Sequence, residues 1–152
     1  MSSPRVEATW QGRKISKDIK VAVIALFDRA LVVQKRQGDF KVEIDFVTDE
    51  VSRDLNKTHR GKDYPTDVLS FGTDVSDSIS AEQSLLGSIV IANDILERQA
   101  VEYATTADQE LVRLTVHGFM HLLGLDHEQD QVEWDQVENQ TYEQKQKTIT
   151  QL

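Results

Sequence analysis

Three of the chain's four histidines, His117, His121 and His127, fall within one short stretch that reads HGFMHLLGLDH. On a helix, residues four apart stand one above the other on a single face, about 6 Å apart at Cβ, so the imidazoles of His117 and His121 can converge on one ion. Gly124 then offers the left-handed residue that stops a helix, and the returning chain brings back His127 as a third ligand. A lone histidine on a buried helix is ordinarily a hydrogen-bonded core residue. Three at this spacing, around a helix-ending glycine, indicate a metal. The chain has no cysteine, so a zinc ion would be held by nitrogen and oxygen alone. Three imidazoles with an open fourth position are the arrangement of a catalytic zinc site rather than a structural one. Such an ion lowers the pKa of its bound water towards neutrality and supplies a nucleophile at cellular pH. One Zn2+ per chain is expected.

The spacing equals that of the metzincin peptidases, H-E-x-x-H-x-x-G-x-x-H. Here the second position is Gly118. The glutamate of that motif is the general base of those enzymes, and glycine has no side chain to accept a proton. A peptidase reading therefore requires another carboxylate. Gly118 would instead permit close approach of a sheet or a substrate to the helix.

The elements that must position these residues follow from patterning. The box Thr106-Ala107-Asp108-Gln109 opens a helix to Leu123 that is apolar on nearly every side, hence a buried spine carrying His117 and His121. Residues 5–10 read as a short strand, and Ser16 caps a helix running to Arg36 and closed by Gly38. Residues 41–47 alternate as a half-buried strand, with Val42, Ile44 and Phe46 inward. Thr48 or Asp49 caps a short helix ending near His59. Residues 60–67 form a polar loop, 68–71 a strand ended by Gly72, and 73–84 a flexible surface loop. Residues 85–92 are a continuous apolar run suited to a central strand. Asn93 or Asp94 caps a helix to Tyr103, with Asp94 and Glu97 at capping-box spacing. A last, acidic helix opens at Asp130, with Val132, Trp134 and Val137 as its packing residues. The expected fold is α+β, a single domain over residues 1–152: one small mixed sheet of about four strands covered by about five helices, with the metal site on the buried central helix.

Composition narrows the partners. A hydrophobic content of 39% over 152 residues fits one core. The N-terminus lacks the apolar region of a secretory signal, and residues 19–33 are too short and too charged to span a bilayer. A soluble cytoplasmic protein with no membrane partner is the expectation. The net charge of −9 argues against nucleic acid, yet Arg53, Lys57, His59, Arg60 and Lys62 cluster within ten residues while residues 126–143 carry acids and no Lys or Arg. Whole-chain charge does not decide the matter.

The sequence resembles the YbeY family of bacterial endoribonucleases, which are rRNA maturation factors. The family's H-G-x-x-H-L-x-G-x-D-H block is matched by His117, Gly118, His121, Leu122, Gly124, Asp126 and His127. A second block is matched by Leu55-Asn56, Arg60-Gly61-Lys62-Asp63 and the run from Pro65 to Phe71, with shorter echoes at Leu86-Gly87, Gln99-Ala100 and Glu110-Leu111. The resemblance covers roughly residues 42–140. It implies a metal-dependent, single-strand-specific endoribonuclease acting on precursor ribosomal RNA, notably at the 3′ end of the small-subunit RNA, with zinc on His117, His121 and His127. It also implies the ribosome or its small subunit, and assembly factors, as partners in ribosome quality control. The sequence departs from the family at Ser88, where an acid is usual, at Leu125, often aromatic or His, and at Trp134, where Met is common.

On this reading His117 and Arg60 are the catalytic residues. Arg60 clamps a phosphate, as guanidinium geometry favours, and Lys57 and Lys62 track the RNA backbone. Asp126 orients a histidine from behind or caps the turn after Gly124. His59 is read as surface, and Thr66 and Asp67 as turn residues. The alternatives are a metallopeptidase-like hydrolase, and a non-catalytic, zinc-stabilised ribosome assembly factor whose fourth ligand is Asp126, Glu128 or Asp130.

Overall fold

The computed structural model describes residues 4–73 and 84–125. Along them run β1 (Arg5–Gln11), α1 (Lys17–Val33), β2 (Asp39–Val47), α2 (Asp49–Arg60), β3 (Val68–Gly72), β4 (Ser84–Ala92), α3 (Asn93–Glu102) and α4 (Ala107–Leu122). The strands form one mixed sheet in the order β1-β2-β4-β3, with β1, β2 and β4 parallel and β3 antiparallel to β4. This is the α+β fold expected. Strand β4 buries residues of both its faces, Ile89 and Ile91 on one and Val90 and Ala92 on the other, which is why its sequence is apolar almost throughout. Strand β3 stands at the edge.

Period-two patterning sets the faces. In β2 the side chains of Phe40, Val42, Ile44 and Phe46 are buried while those between them are not. They pack in one core with Ile19, Val23, Leu26 and Phe27 of α1 and Leu111, Leu114 and Phe119 of α4. The rings of Phe27 and Phe119 stack at 4.1 Å between centroids, clamping α1 on α4. Helix α4 is the buried spine: Leu111, Val112, Leu114, Phe119 and Met120 are all buried. Its start is the expected capping box, with Gln109 N–H donating to the Thr106 hydroxyl and the Gln109 side chain accepting from Thr106 N–H.

Two helix ends are built differently from expectation. Helix α1 starts on its Ser16 cap but stops at Val33, because Lys35 takes a left-handed φ of 55° and Arg36 N–H turns back to the Leu31 carbonyl. The glycine at 38 is not its stop. Helix α3 has no side-chain cap. Strand β4 runs straight into it through Ala92, Asn93 donates to the Gly12 carbonyl and accepts from Arg13, and Glu97 pairs with Arg13 at 2.7 Å. Of the loop expected over 73–84, Ser84 already begins β4 and residues 74–83 lie outside the described residues, as does the last helix with Val132, Trp134 and Val137; the described residues contain four helices.

Candidate functional site

Gly118 brings the sheet and the spine together. A Cβ there would lie 2.7 Å from Ile89 Cγ2, 3.1 Å from Ser70 Oγ and 3.2 Å from Val68 Cγ2. Only a residue without a side chain lets α4 lie this close to β3 and β4. The Ser70 hydroxyl uses the proximity, donating to the Gly118 carbonyl at 2.8 Å. A carboxylate at this position has no room, so the peptidase base is excluded sterically as well as chemically.

The two histidines of α4 flank this contact and line the cleft over β3. His117 is half-buried and His121 exposed, and their Nε2 atoms stand 3.1 Å apart, with ring centroids at 4.7 Å and planes at 73°. Two imidazole nitrogens bound to one tetrahedral zinc at about 2.05 Å would stand roughly 3.3 Å apart. The pair therefore fits a shared ion, as the four-residue spacing predicts. Among the described residues no third His, Cys, Asp or Glu joins them. His127 and Asp126, and with them the third-ligand reading, lie outside the described residues. Gly124 adopts the expected left-handed φ of 84°. Just before it, Arg36 donates to the Leu123 carbonyl at 2.9 Å, satisfying one of the helix's last acceptors.

The second wall comes from α2. Its Thr48 cap accepts from Val51 N–H, and Gly61 ends it with a left-handed φ of 70°. Arg60 is thus the last helical residue, where a cation meets the negative end of the helix dipole. The loop that follows is fastened to α2 by two buried polar side chains. Ser52 bonds both the carbonyl and the N–H of Thr66, at 2.8 and 3.0 Å, and Asn56 donates to the Tyr64 carbonyl at 2.8 Å. Arg53 and Asp63 pair at 2.7 Å on the surface, and this hydrogen bond holds the Asp63 carboxyl below its ordinary value.

Between the walls lies β3. A cleft of about 880 Å³ runs over it, bounded by His59 and Arg60 on one side, residues 66–72 along the floor, and His117, His121 and Leu122 on the other. Sequence reasoning placed His59 on the surface. His59 is indeed exposed, and it also lines the cleft, its ring 4.8 Å from that of Phe71. Lys57 and Lys62 are exposed beside the cleft and do not line it. Thr66 and Asp67 do line it, and Asp67 also fills its expected turn role, accepting from Val68 N–H at 2.8 Å. Ser88 lies elsewhere. It pairs with Phe71 across the β3–β4 ladder, on the face away from α4, and donates to Glu43 at 3.1 Å.

Behind the cleft is a polar network that sequence reasoning missed. Glu110, 1% exposed, accepts from Arg113 at 2.6 and 2.8 Å and from Gln99 at 2.8 Å, and Gln99 also reaches Asp67 at 3.3 Å. Glu110 and its hydrogen bond hold the Arg113 guanidinium above its ordinary pKa. The signal was an acid three residues before an arginine inside an otherwise apolar helix.

Comparison with known proteins bears directly on this arrangement. The family model described as Endoribonuclease YbeY matches residues 5–150. The chain belongs to the YbeY endoribonuclease family. It is similar to the protein named Endoribonuclease YbeY of Stutzerimonas stutzeri, 44% identical over 66% of this chain and 62% of that protein. It also resembles those of Lysinibacillus sphaericus, at 34% over 80% and 82%, and Alkaliphilus oremlandii, at 36% over 86% and 89%. The solution structure of TM1509 from Thermotoga maritima superposes with a TM-score of 0.50 at 26% identity, covering 88% of this chain and 91% of that one. The YbeY resemblance read from the histidine and arginine blocks is thus correct. No helix among the described residues is long and apolar enough to cross a membrane.

Proposed function

We propose that this chain is a zinc-dependent endoribonuclease that hydrolyses single-stranded RNA. The observation that carries it is the meeting, in one cleft, of two imidazole nitrogens 3.1 Å apart and the guanidinium-bearing end of α2. YbeY family membership supplies the reaction class. His117 and His121, with His127 as the third ligand, would hold the ion; bound there, zinc would supply Lewis acidity and a water activated at neutral pH. Arg60 takes the scissile phosphate from the opposite wall and stabilises its developing charge. Ser70 and Gly118 fix the distance between α4 and the floor. Asp126 orients a histidine, and Lys57 and Lys62 meet the RNA beyond the cleft mouth.

Family membership further supports a place in ribosomal RNA maturation at the 3′ end of the small-subunit RNA. We place the chain in the cytoplasm as one domain over residues 1–152, working with the ribosomal small subunit and assembly factors in ribosome quality control. A substrate panel tests the reading. Protein purified without a nickel column is offered single-stranded RNA, duplex RNA and casein. Cleavage of the single strand alone supports the proposal; digestion of casein, or binding to ribosomal subunits without any cleavage, would replace it with one of the alternatives.

A further inference from the structure

The floor of the cleft is an open sheet edge. Ala92 N–H donates to the Asp67 carbonyl at 3.0 Å and Thr73 N–H to the Leu86 carbonyl at 3.1 Å. In an antiparallel ladder the peptide groups of alternate residues turn to the partner strand, so residues 67, 69, 71 and 73 face β4. Val68, Ser70 and Gly72 turn their peptide groups the other way, to the outer edge. No strand among the described residues pairs there. Val68 N–H is already bonded to Asp67 Oδ1. That leaves the N–H groups of Ser70 and Gly72, with no acceptor among the described residues, at the edge that the cleft overlies.

We propose that this edge is the track for the substrate strand: Ser70 N–H and Gly72 N–H donate to phosphate oxygens of successive nucleotides. Donors two residues apart on one edge repeat at about 6.8 Å, comparable with the separation of neighbouring phosphates in an extended nucleic-acid strand. Backbone amides position a strand without reading its sequence. They also carry no net charge, which is how a chain of net charge −9 can bind RNA with Arg60 as the one Lys or Arg lining the cleft among the described residues. Residues from the end of α2 and from α4 line the cleft on either side of the edge. The inference rests on the endoribonuclease reading and adds to it the groups that hold the strand.

Gly72 gives a clean test. Proline is tolerated on an edge strand where the N–H faces outward, so Gly72→Pro deletes the donor without costing a ladder bond. Nothing lies within 4 Å of a Cβ at position 72, so Gly72→Ala is the matched variant that keeps the donor. Fluorescence anisotropy is read with a labelled 2′-O-methyl oligonucleotide, its intactness checked on a gel, on full-length protein whose fold is verified by circular dichroism. We expect Gly72→Pro to bind the single strand roughly tenfold more weakly than Gly72→Ala, the loss of one charge-assisted hydrogen bond. Equal affinity of the two variants, with wild type still cleaving RNA, overturns the track and leaves the enzyme standing. A proline-sensitive peptide ligand in place of the oligonucleotide overturns it in favour of a protein strand. Wild type that neither binds nor cleaves RNA overturns the endoribonuclease reading itself. Should Gly72→Pro not fold, the wild-type salt dependence decides. A slope of log affinity against log salt no steeper than about −2, for Arg60 and two flanking lysines at roughly −0.7 per phosphate on a single strand, supports the track. Any steeper slope means that a basic surface does the holding and overturns the track.

Discussion

The Ser70 hydroxyl donates to the Gly118 carbonyl across 2.8 Å, tying the floor of the cleft to the helix that carries His117 and His121. Through this bond and the missing side chain at position 118, the separation of the histidines from the edge strand is built into the core packing. A change at Gly118 should therefore be felt in both stability and activity.

Gly118→Ala opposes two effects. Alanine gains about 1 kcal/mol in helix propensity over glycine, while the new methyl lies 2.7 Å from Ile89 Cγ2, on a side chain that is 0% exposed and cannot move aside. Overpacking of this kind costs about 1–3 kcal/mol. We expect net destabilisation, read as a lower urea midpoint, together with reduced RNA cleavage as α4 shifts from β3. A variant as stable and as active as wild type would show that the close approach is not needed.

Arg113→Met leaves Glu110 buried with Gln99 as its remaining partner. Because the Arg113 side chain is 42% exposed, the pair is partly screened, and the cost should fall near 2 kcal/mol, below the range for breaking a fully buried pair. Thermal unfolding should drop by about 4–8 °C. A double Glu110→Met/Arg113→Met variant should be more stable than the single one. Equal stability of single and double variants would remove the uncompensated carboxylate from the account.

Arg60→Lys keeps the charge and loses the planar fork. Folding and metal content should be unchanged, with cleavage weakened roughly tenfold, about 1.4 kcal/mol of transition-state stabilisation. Unchanged cleavage by Arg60→Glu would take the residue out of the mechanism.

Asp28 gives a pH signature. Burial holds its carboxyl above the ordinary value of 3.8, outweighing the hydrogen bond it accepts from Val6 N–H at 2.9 Å. A raised folded-state pKa favours the protonated form. Its stabilising contribution is therefore complete below 3.8 and is lost as pH rises through the folded value. Asp28→Asn keeps the acceptor and removes the charge. It should be more stable than wild type at neutral pH, with an advantage that shrinks as pH falls towards 3.8. Urea titrations at the two extremes check this; a gain independent of pH, or a loss at neutral pH, contradicts it.

What the sequence made legible was whatever repeats at a short period or sits at a fixed spacing. The alternation of β2, the apolar run of β4, the Thr106 box and the His117–His121 pair are local patterns, and each appears as read. What escaped depends on partners distant in the chain. His59 reaches the cleft because Phe71 lies beneath it, and Ser52 and Asn56 are buried because the 61–67 loop folds back over α2. Asp94 and Glu97 had capping-box spacing, but β4 feeds α3 without a break and Arg13, 84 residues away, claims Glu97. At Ser88 the sequence departs from the family pattern. Strand alternation puts it on the face away from α4, beside Glu43.

The central claim is that His117 and His121 hold a metal on which RNA cleavage depends. Its most direct test is metal content and cleavage measured together, on protein purified without a nickel column, before and after chelation and zinc repletion. We predict about one zinc per chain, cleavage lost on chelation and restored by zinc, and neither zinc nor restored cleavage in the His117→Ala/His121→Ala variant. Undiminished cleavage of RNA by protein shown to be metal-free would contradict it.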